Sequence, residues 1–150
     1  MATRSLVHEE TFDAPIDEVF TLLITPSAIR AWWGASRAVV LAEEGGMWAA
    51  AWGDDEDHPD YMTVTRLENF NPPHGMDQTD YRYYSKDGPL PFEASFTTTY
   101  RCTEVEGGTR LSVEQAGFPE THNEFYQGCV QGWKDTFDGI RRYLASRSTD

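Results

Sequence analysis

The longest hydrophobic pattern in the chain lies near its C-terminal end, over residues 121–144. On a helical wheel the apolar side chains of this stretch fall in one continuous arc, and polar side chains fill the remainder. Thr121 followed by Glu124 is typical of a capping box, and Arg141 and Arg147 lie where the helix dipole favours cations. The pattern therefore predicts a long amphipathic helix with one wide apolar face.

Three glycines, Gly128, Gly132 and Gly139, lie together along one border of this apolar arc. In a helix interior each glycine costs about 1 kcal/mol relative to alanine. We expect either that another element approaches the helix backbone closely at these positions or that the helix bends there.

Most of the chain before this helix alternates between apolar and polar residues, as strands do. The predicted strands cover residues 5–12, 37–41, 47–52, 61–70, 78–84, 92–103 and 109–117. Two short helices, one beginning at Pro15 and one running from Pro26 through Ala31, separate the first strand from the other six. The order β-α-α-β6-α predicts an α+β fold in which a curved antiparallel sheet of about seven strands grips the C-terminal helix.

Length and charge narrow the class of protein. The 150 residues fit a single domain over residues 1–150. A net charge of −13 argues against binding to nucleic acid or to an anionic membrane surface. Neither a signal peptide nor a membrane-spanning stretch is apparent, so we expect a cytoplasmic protein. Both a monomer and a homodimer remain open.

No motif of metal, phosphate, dinucleotide or nucleophilic chemistry occurs, so no metal and no cofactor are predicted. The acidic run at 54–60 lacks the central glycine and distal glutamate of a calcium loop and is interpreted as a solvated loop. Cys102 and Cys129 are expected to be free thiols, with Cys129 on the apolar arc of the last helix.

His8 and Glu10 are weak candidates for catalytic residues. They share one face of the first strand with Phe12, while Val7 lies on the other face. If the Phe12 face points inward, both polar groups point inward too, which is costly unless they pair or meet a ligand or water. The alternative, equally open, is that the start of the strand frays or that the Val7 face points inward.

Aromatic residues make up 13% of the chain, a surplus that fits either a dense core or the wall of an apolar cavity. Buried Tyr and Trp need partners for their O–H and N–H groups, so several of them around a void suit a mostly apolar ligand. Ordinary packing accounts for part of the set, to which Tyr81 also belongs. The ligand-binding candidates are Trp33, Trp48, Trp52, Tyr61, Tyr83, Phe96, Tyr100, Tyr126, Cys129 and Trp133.

Several short runs, in this order, carry a family resemblance. They are DAPIDEVF at 13–20, TP at 25–26, WWG at 32–34, GGMW at 45–48, GGTRL at 107–111, GFP at 117–119, and GW at 132–133 through YL at 143–144. The chain resembles the SRPBCC superfamily, and within it the single-domain proteins similar to the C-terminal domain of the heat-shock-protein-90 ATPase activator. The resemblance covers essentially the whole chain.

The resemblance implies a START-type helix-grip with a cavity between sheet and helix. Many relatives hold hydrophobic or amphipathic small molecules there, and some branches are polyketide cyclases or aromatases. Trp33, Trp48 and Trp133 lie at family-typical positions that are structural signatures more than catalytic ones. The chain has no room for the separate N-terminal domain of the full co-chaperone, so chaperone activation is not the expected role.

Three hypotheses follow. The first is a binding protein for a hydrophobic or amphipathic small molecule, with no cofactor. The second is a cavity enzyme of cyclase, aromatase or hydrolase type, in which His8 and Glu10 act as an acid–base pair. The third is a co-chaperone-like module that binds a protein partner, although the outward-facing residues are expected to be mostly polar or acidic. The sequence leaves open whether any reaction is catalysed.

Overall fold

The computed structural model describes residues 2–90, 92 and 95–148. Its strands are β1 (Thr3–Phe12), β2 (Arg37–Val40), β3 (Met47–Trp52), β4 (Tyr61–Asn71), β5 (Gly75–Ser85), β6 (Thr97–Val105) and β7 (Gly108–Pro119). Its helices are α1 (Ile16–Ile24), α2 (Pro26–Trp33) and α3 (Asn123–Ser148). The predicted α+β fold and the order of its elements are confirmed.

The seven strands form one antiparallel sheet in the order β1-β7-β6-β5-β4-β3-β2. Each of β2 to β7 therefore pairs with the strand that follows or precedes it, and β1 closes one edge by pairing with β7. The sheet curves around α3, and α1 and α2 cover part of the same side. This arrangement places one face of every strand toward the last helix.

The face of β1 that carries Phe12 points inward. Leu6 and Phe12 are buried, whereas Val7 on the opposite face is 61% exposed. His8 and Glu10 therefore lie on the inner face, each with about a fifth of its side chain exposed at 22% and 23%. Of the two alternatives for this strand, the inward Phe12 face is confirmed.

The apolar arc of α3 is its buried face, which contributes Trp133, Phe137, Ile140 and Leu144 to the core. A close approach to the backbone, as expected from the glycines, is confirmed at Gly139, where an added Cβ would collide with the carbonyl oxygen of Trp32 at the end of α2.

No close approach is found at Gly128 and Gly132. An added Cβ at either position would meet no atom within 4 Å. These two glycines therefore leave open space beside the first half of α3.

Several predicted element boundaries differ from the structure, among them the starts of α3 and β6. The capping box is wrong, because α3 begins at Asn123 and the Tyr126 N–H donates to the His122 carbonyl. The Thr121 hydroxyl instead lies 3.0 Å from Nδ1 of His122. Strand β6 begins at Thr97, five residues later than predicted.

The late start of β6 has a packing cause. Phe92 and Phe96 pack against each other and against Phe125 of α3 and do not join the sheet. Positions 93 and 94 of the predicted strand lie outside the described residues. Because β6 pairs with only the first four residues of β5, Gly75 to Gln78, the remainder of β5 borders the aromatic segment and α3.

An irregularity in β5 changes which of its residues share a face. Val64 of β4 pairs with Arg82 of β5, and Arg66 of β4 pairs with Thr79 of β5. Between these two pairs β4 advances by two residues and β5 by three, so β5 holds one extra residue. Asp80 takes up the extra length with a positive φ of 51°. This β-bulge puts Gln78 and Tyr81 on the same side of the sheet.

Candidate functional site

A cavity of about 320 Å³ lies between the inner face of the sheet and the first half of α3. Pockets that hold small ligands run from about 300 to 1,000 Å³, so this one suits a compact molecule. Its lining residues are Trp33, Trp48, Trp52, Thr63, Gln78, Tyr81, Tyr83, Leu90, Phe96, Gln115, Phe125, Cys129, Gly132, Trp133 and Thr136.

Four tryptophans form the most compact part of the wall. The ring of Trp33, at the end of α2, lies 5.6 Å from Trp48, 5.6 Å from Trp52 and 5.7 Å from Trp133, centroid to centroid. Trp48 and Trp52 share a face because they are four residues apart on β3 and successive side chains of a strand alternate between its two faces. One residue from α2, two from β3 and one from α3 therefore meet at one end of the cavity.

The N–H groups of three of these tryptophans are fixed by hydrogen bonds. Trp48 Nε1 donates to the Leu23 carbonyl at 3.0 Å, and Trp52 Nε1 donates to the Trp33 carbonyl at 3.3 Å. Trp133 Nε1 donates to Oε1 of Gln115 at 2.8 Å. These bonds hold the ring planes in place and leave apolar ring surface toward the cavity.

A polar cluster lies on the sheet side of the cavity. The Tyr81 hydroxyl donates to Oε1 of Gln78 at 3.2 Å and lies 2.6 Å from the Thr98 hydroxyl. Burial raises the pKa of Tyr81 to about 12, although its hydrogen bond with Thr98 opposes the rise. The phenol is therefore neutral at physiological pH and serves as a hydrogen-bonding group.

The helix side of the cavity is formed by Cys129, Gly132, Trp133 and Thr136. Burial raises the pKa of the Cys129 thiol to about 11, so the thiol is protonated near neutrality. The Thr136 hydroxyl donates to the Gly132 carbonyl within the helix at 2.9 Å. Gly132 and Tyr83 are exposed as well as lining the cavity, so the cavity reaches the protein surface.

Seven of the ten residues suggested as ligand contacts line the cavity: Trp33, Trp48, Trp52, Tyr83, Phe96, Cys129 and Trp133. The other three lie elsewhere. Tyr61 is on the same face of β4 as Thr63 but beyond it, at the end of the sheet, and is 39% exposed.

Tyr100 and Tyr126 are held by other contacts. Tyr100 is 2% exposed and packs edge-on against Trp133 in the core, where burial raises the pKa of its phenol. Tyr126 packs edge-on against Phe118, and the guanidinium of Arg4 lies 3.6 Å above its ring. Strand alternation and helical periodicity predicted that Tyr100 and Tyr126 face inward. They did not predict whether either side chain reaches the cavity.

Several lining residues were not among the predicted ligand contacts, namely Thr63, Gln78, Leu90, Gln115, Phe125, Gly132 and Thr136. Phe125 lies on the apolar arc of α3, and Thr63 alternates with the buried Thr65, so the periodicity could have included both. Gln78 and Gln115 are polar residues on inward faces, which is the signal that could have found them.

His8 and Glu10 form a separate cluster. His8 Nε2 lies 2.6 Å from one carboxylate oxygen of Glu10, and Arg141 of α3 donates to the other oxygen at 2.6 Å. The rings of His8 and Phe137 pack in a T-shaped arrangement, with their centroids 4.6 Å apart.

Burial alone would raise the pKa of Glu10, but hydrogen bonds from His8 and Arg141, together with the positive charge of Arg141, lower it below 4.5. Neither His8 nor Glu10 lines the cavity. The geometry therefore does not favour an acid–base role for this pair toward a molecule held there.

A second hollow, of about 550 Å³, lies outside the sheet at the turn between β4 and β5. Several of its polar groups are paired with one another: the Glu44 carboxylate accepts from the N–H groups of Asn69 and Phe70, and Asn69 Nδ2 donates to Asp77. Most of the residues that line this hollow are polar or charged. The cavity under α3 is therefore the better candidate for a binding site.

Within the described ranges, no group of three or more His, Cys, Asp or Glu side chains is placed to hold a metal ion. Among the helices of the same residues, none is both long enough and apolar enough to cross a membrane.

Comparison with known proteins gives a family and a set of similar folds. The sequence model of the family described as "Activator of Hsp90 ATPase homolog 1-like protein" matches residues 13–145. No curated protein matched the chain.

Among solved structures, protein MLL2253 from Mesorhizobium loti is 19% identical, with 95% of this chain and 98% of that one covered at a TM-score of 0.76. Protein NE0264 from Nitrosomonas europaea is 16% identical, with 97% of each chain covered at a TM-score of 0.77. CalU16 from Micromonospora echinospora is 20% identical, covering 98% of this chain and 80% of that one at a TM-score of 0.70. These likenesses establish the helix-grip fold.

Proposed function

The chain belongs to the activator of Hsp90 ATPase homolog 1-like family, and we propose that it is a binding protein for a hydrophobic or amphipathic small molecule held under α3. The observation that carries this proposal is the aromatic cavity, whose wall includes four tryptophans around a space of about 320 Å³. Side chains that only filled a core would close such a space, because protein interiors pack with few voids larger than a water molecule.

The balance of the wall also supports an apolar ligand. Aromatic rings supply most of the lining, and three of the four tryptophan N–H groups are already bonded within the protein. A ligand would gain mainly by removing ring surface from water, which is worth about 25 cal/mol per Å² of apolar area. The strong negative charge of the chain, −13, disfavours an anionic ligand further.

The two open glycines of α3 provide a matched test. Gly132 lines the cavity, whereas Gly128, one turn earlier on the same helix, does not. An added Cβ meets no atom within 4 Å at either position, and Gly132→Leu and Gly128→Leu bring the same gain in helix propensity. Position 132 lines the cavity and position 128 does not, so we expect only Gly132→Leu to take up cavity space.

The uncharged fluorescent probe N-phenyl-1-naphthylamine, which brightens in apolar surroundings, can report occupancy. We expect saturable binding to the wild type and to Gly128→Leu, and a loss of at least about tenfold in affinity for Gly132→Leu, corresponding to about 1.4 kcal/mol. Thermal unfolding of both variants shows whether they are folded. Equal binding to the two variants, or no saturable binding to the wild type, would contradict the proposal.

A further inference from the structure

One donor in the cavity wall has no partner. Gln78 is only 2% exposed and lines the cavity, and its Oε1 accepts a hydrogen bond from Tyr81. Its Nε2 is buried and makes no hydrogen bond with any of the described residues. A buried amide nitrogen that donates to nothing is costly, so the position calls for an acceptor.

The hydrogen bonds around Tyr81 are consistent with the orientation of this amide. In the structure the amide oxygen of Gln78 lies toward Tyr81 and accepts from its hydroxyl. A phenol has one hydrogen, so in this arrangement the buried Thr98 hydroxyl donates to Tyr81 across the 2.6 Å contact. With the oxygen on that side, the NH₂ group is the free end of the amide.

Several other donors of the wall bond within the protein. The indole N–H groups of Trp48, Trp52 and Trp133 bond to protein oxygens. The Thr136 hydroxyl bonds to the backbone of α3. Among the described lining residues, Gln78 is the one whose fully buried side-chain nitrogen makes no hydrogen bond.

The described part of the wall carries no charged side chain. Among the lining residues that the structure describes, none is Asp, Glu, Lys, Arg or His. A carboxylate or an ammonium group entering this space would lose its water without a compensating charge, which is strongly unfavourable. The occupant should therefore be neutral.

Resting on the proposed function, we propose that Gln78 is the specificity-determining residue of the cavity. It donates a hydrogen bond from Nε2 to an oxygen acceptor on a neutral, mainly aromatic ligand, such as a ketone or quinone carbonyl. The rings of the ligand pack against the tryptophans, and the acceptor oxygen satisfies the buried amide.

A pair of probes isolates this hydrogen bond. Fluorene and fluorenone share a three-ring frame, and fluorenone adds one carbonyl oxygen. The measured quantity is the ratio of their dissociation constants, since differences in general apolar affinity cancel in it. Gln78→Met keeps the approximate shape of the side chain and removes both N–H donors.

We expect Gln78→Met to reduce the preference for fluorenone over fluorene by about fivefold or more, mainly through weaker fluorenone binding. Gln127→Met is the matched control, because it makes the same substitution at an exposed position of α3 that does not line the cavity. It should leave the ratio unchanged.

The outcomes separate the two proposals. An unchanged ratio in Gln78→Met, or an equal fall in Gln127→Met, overturns the role of Gln78 and leaves the binding function standing. Binding of neither probe to the wild type overturns both.

A second measurement needs no variant. The carbonyl stretching band of fluorenone bound to the wild type should move to lower frequency than in an apolar solvent, because a donated hydrogen bond weakens the C=O bond. A band at the apolar-solvent position would overturn the assignment even if Gln78→Met failed to fold.

Discussion

The Tyr81 hydroxyl donates to the side-chain oxygen of Gln78 at 3.2 Å, although the two residues are three apart on one strand. In a regular strand residues three apart point to opposite faces. The bulge at Asp80 removes that opposition and brings both side chains to the cavity side. The polar cluster of the site thus depends on one irregularity of the backbone.

Tyr81→Phe should destabilise the protein by about 1–3 kcal/mol. It leaves the Gln78 oxygen and the buried Thr98 hydroxyl without the phenol that joins them. Urea unfolding measures the difference. Tyr84→Phe is the control, because Tyr84 is 42% exposed, and it should change the stability by less than about 0.5 kcal/mol. A Tyr81→Phe variant as stable as Tyr84→Phe would contradict the account of this cluster.

Alanine substitutions at two glycines of α3 should have opposite effects. Gly128→Ala should stabilise the protein by up to about 1 kcal/mol, since the position is open and alanine favours the helix. Gly139→Ala should destabilise it by about 1–3 kcal/mol, because the new methyl would overlap the Trp32 carbonyl oxygen. Thermal or urea unfolding compares them, and the same sign for both would rule out close packing of α2 on α3 at Gly139.

Glu10→Gln should weaken the protein in a pH-dependent way. The hydrogen bonds from His8 and Arg141 hold the pKa of Glu10 below its ordinary value of 4.5 in the folded state. This stabilisation is therefore complete above pH 4.5 and is lost as the pH falls through the folded-state pKa. At pH 7 the loss should be about 1 kcal/mol, for a partly exposed charged pair.

The control for this change is Glu9→Gln, which removes the same charge from the exposed face of β1. Unfolding curves across the acid range should show the Glu10→Gln deficit shrinking as the pH falls, with little effect of Glu9→Gln at any pH. A deficit that stayed constant down to strongly acidic pH would show that the carboxylate charge is not its cause.

Cys129 should react slowly with iodoacetamide near neutrality and faster as the pH rises, by about tenfold per pH unit below its pKa of about 11, because the thiolate is the nucleophile. Since Cys129 lines the cavity, saturating N-phenyl-1-naphthylamine should slow the reaction. Cys102→Ser should not alter the rate, because Cys102 is only 4% exposed. Alkylation of Cys129 that is indifferent to the probe would place the probe elsewhere.

Much of the fold follows from periodicity. The apolar arc of the last helix, the alternation of the strands and the turn residues between them were enough for the order of elements and the helix-grip. The inward Phe12 face of β1 follows from the same alternation once the strand is known to have a buried side. These patterns repeat over many residues, so one wrongly assigned residue does not change the predicted element.

The site was less predictable because it depends on single-residue events. Strict alternation puts Gln78 and Tyr81 on opposite faces, and only the bulge at Asp80 unites them. Periodicity gives the face of Tyr100 and Tyr126 but cannot tell a core position from a cavity wall. Whether a residue lines a void depends on how far α3 stands from the sheet, which no local pattern contains.

The outer face of the sheet also differs from expectation. Outward-facing residues were expected to be mostly polar or acidic, yet Val39, Ala49 and Val64 lie opposite one another across β2, β3 and β4. Met62 and Tyr84 form a neighbouring exposed pair. β-Branched residues such as valine fit the pleated surface of a strand and are common there, so an apolar residue on the outer face does not by itself indicate burial.

The proposal of a ligand under α3 is tested most directly by nuclear magnetic resonance of the indole N–H groups during a titration with fluorenone. Trp33, Trp48, Trp52 and Trp133 line the cavity, whereas Trp32 does not and donates to the Leu22 carbonyl in the core. We predict that saturable binding shifts the four cavity indole signals more than that of Trp32. Saturable binding that leaves those four signals in place, or shifts Trp32 as much as the others, would contradict a binding site between helix and sheet.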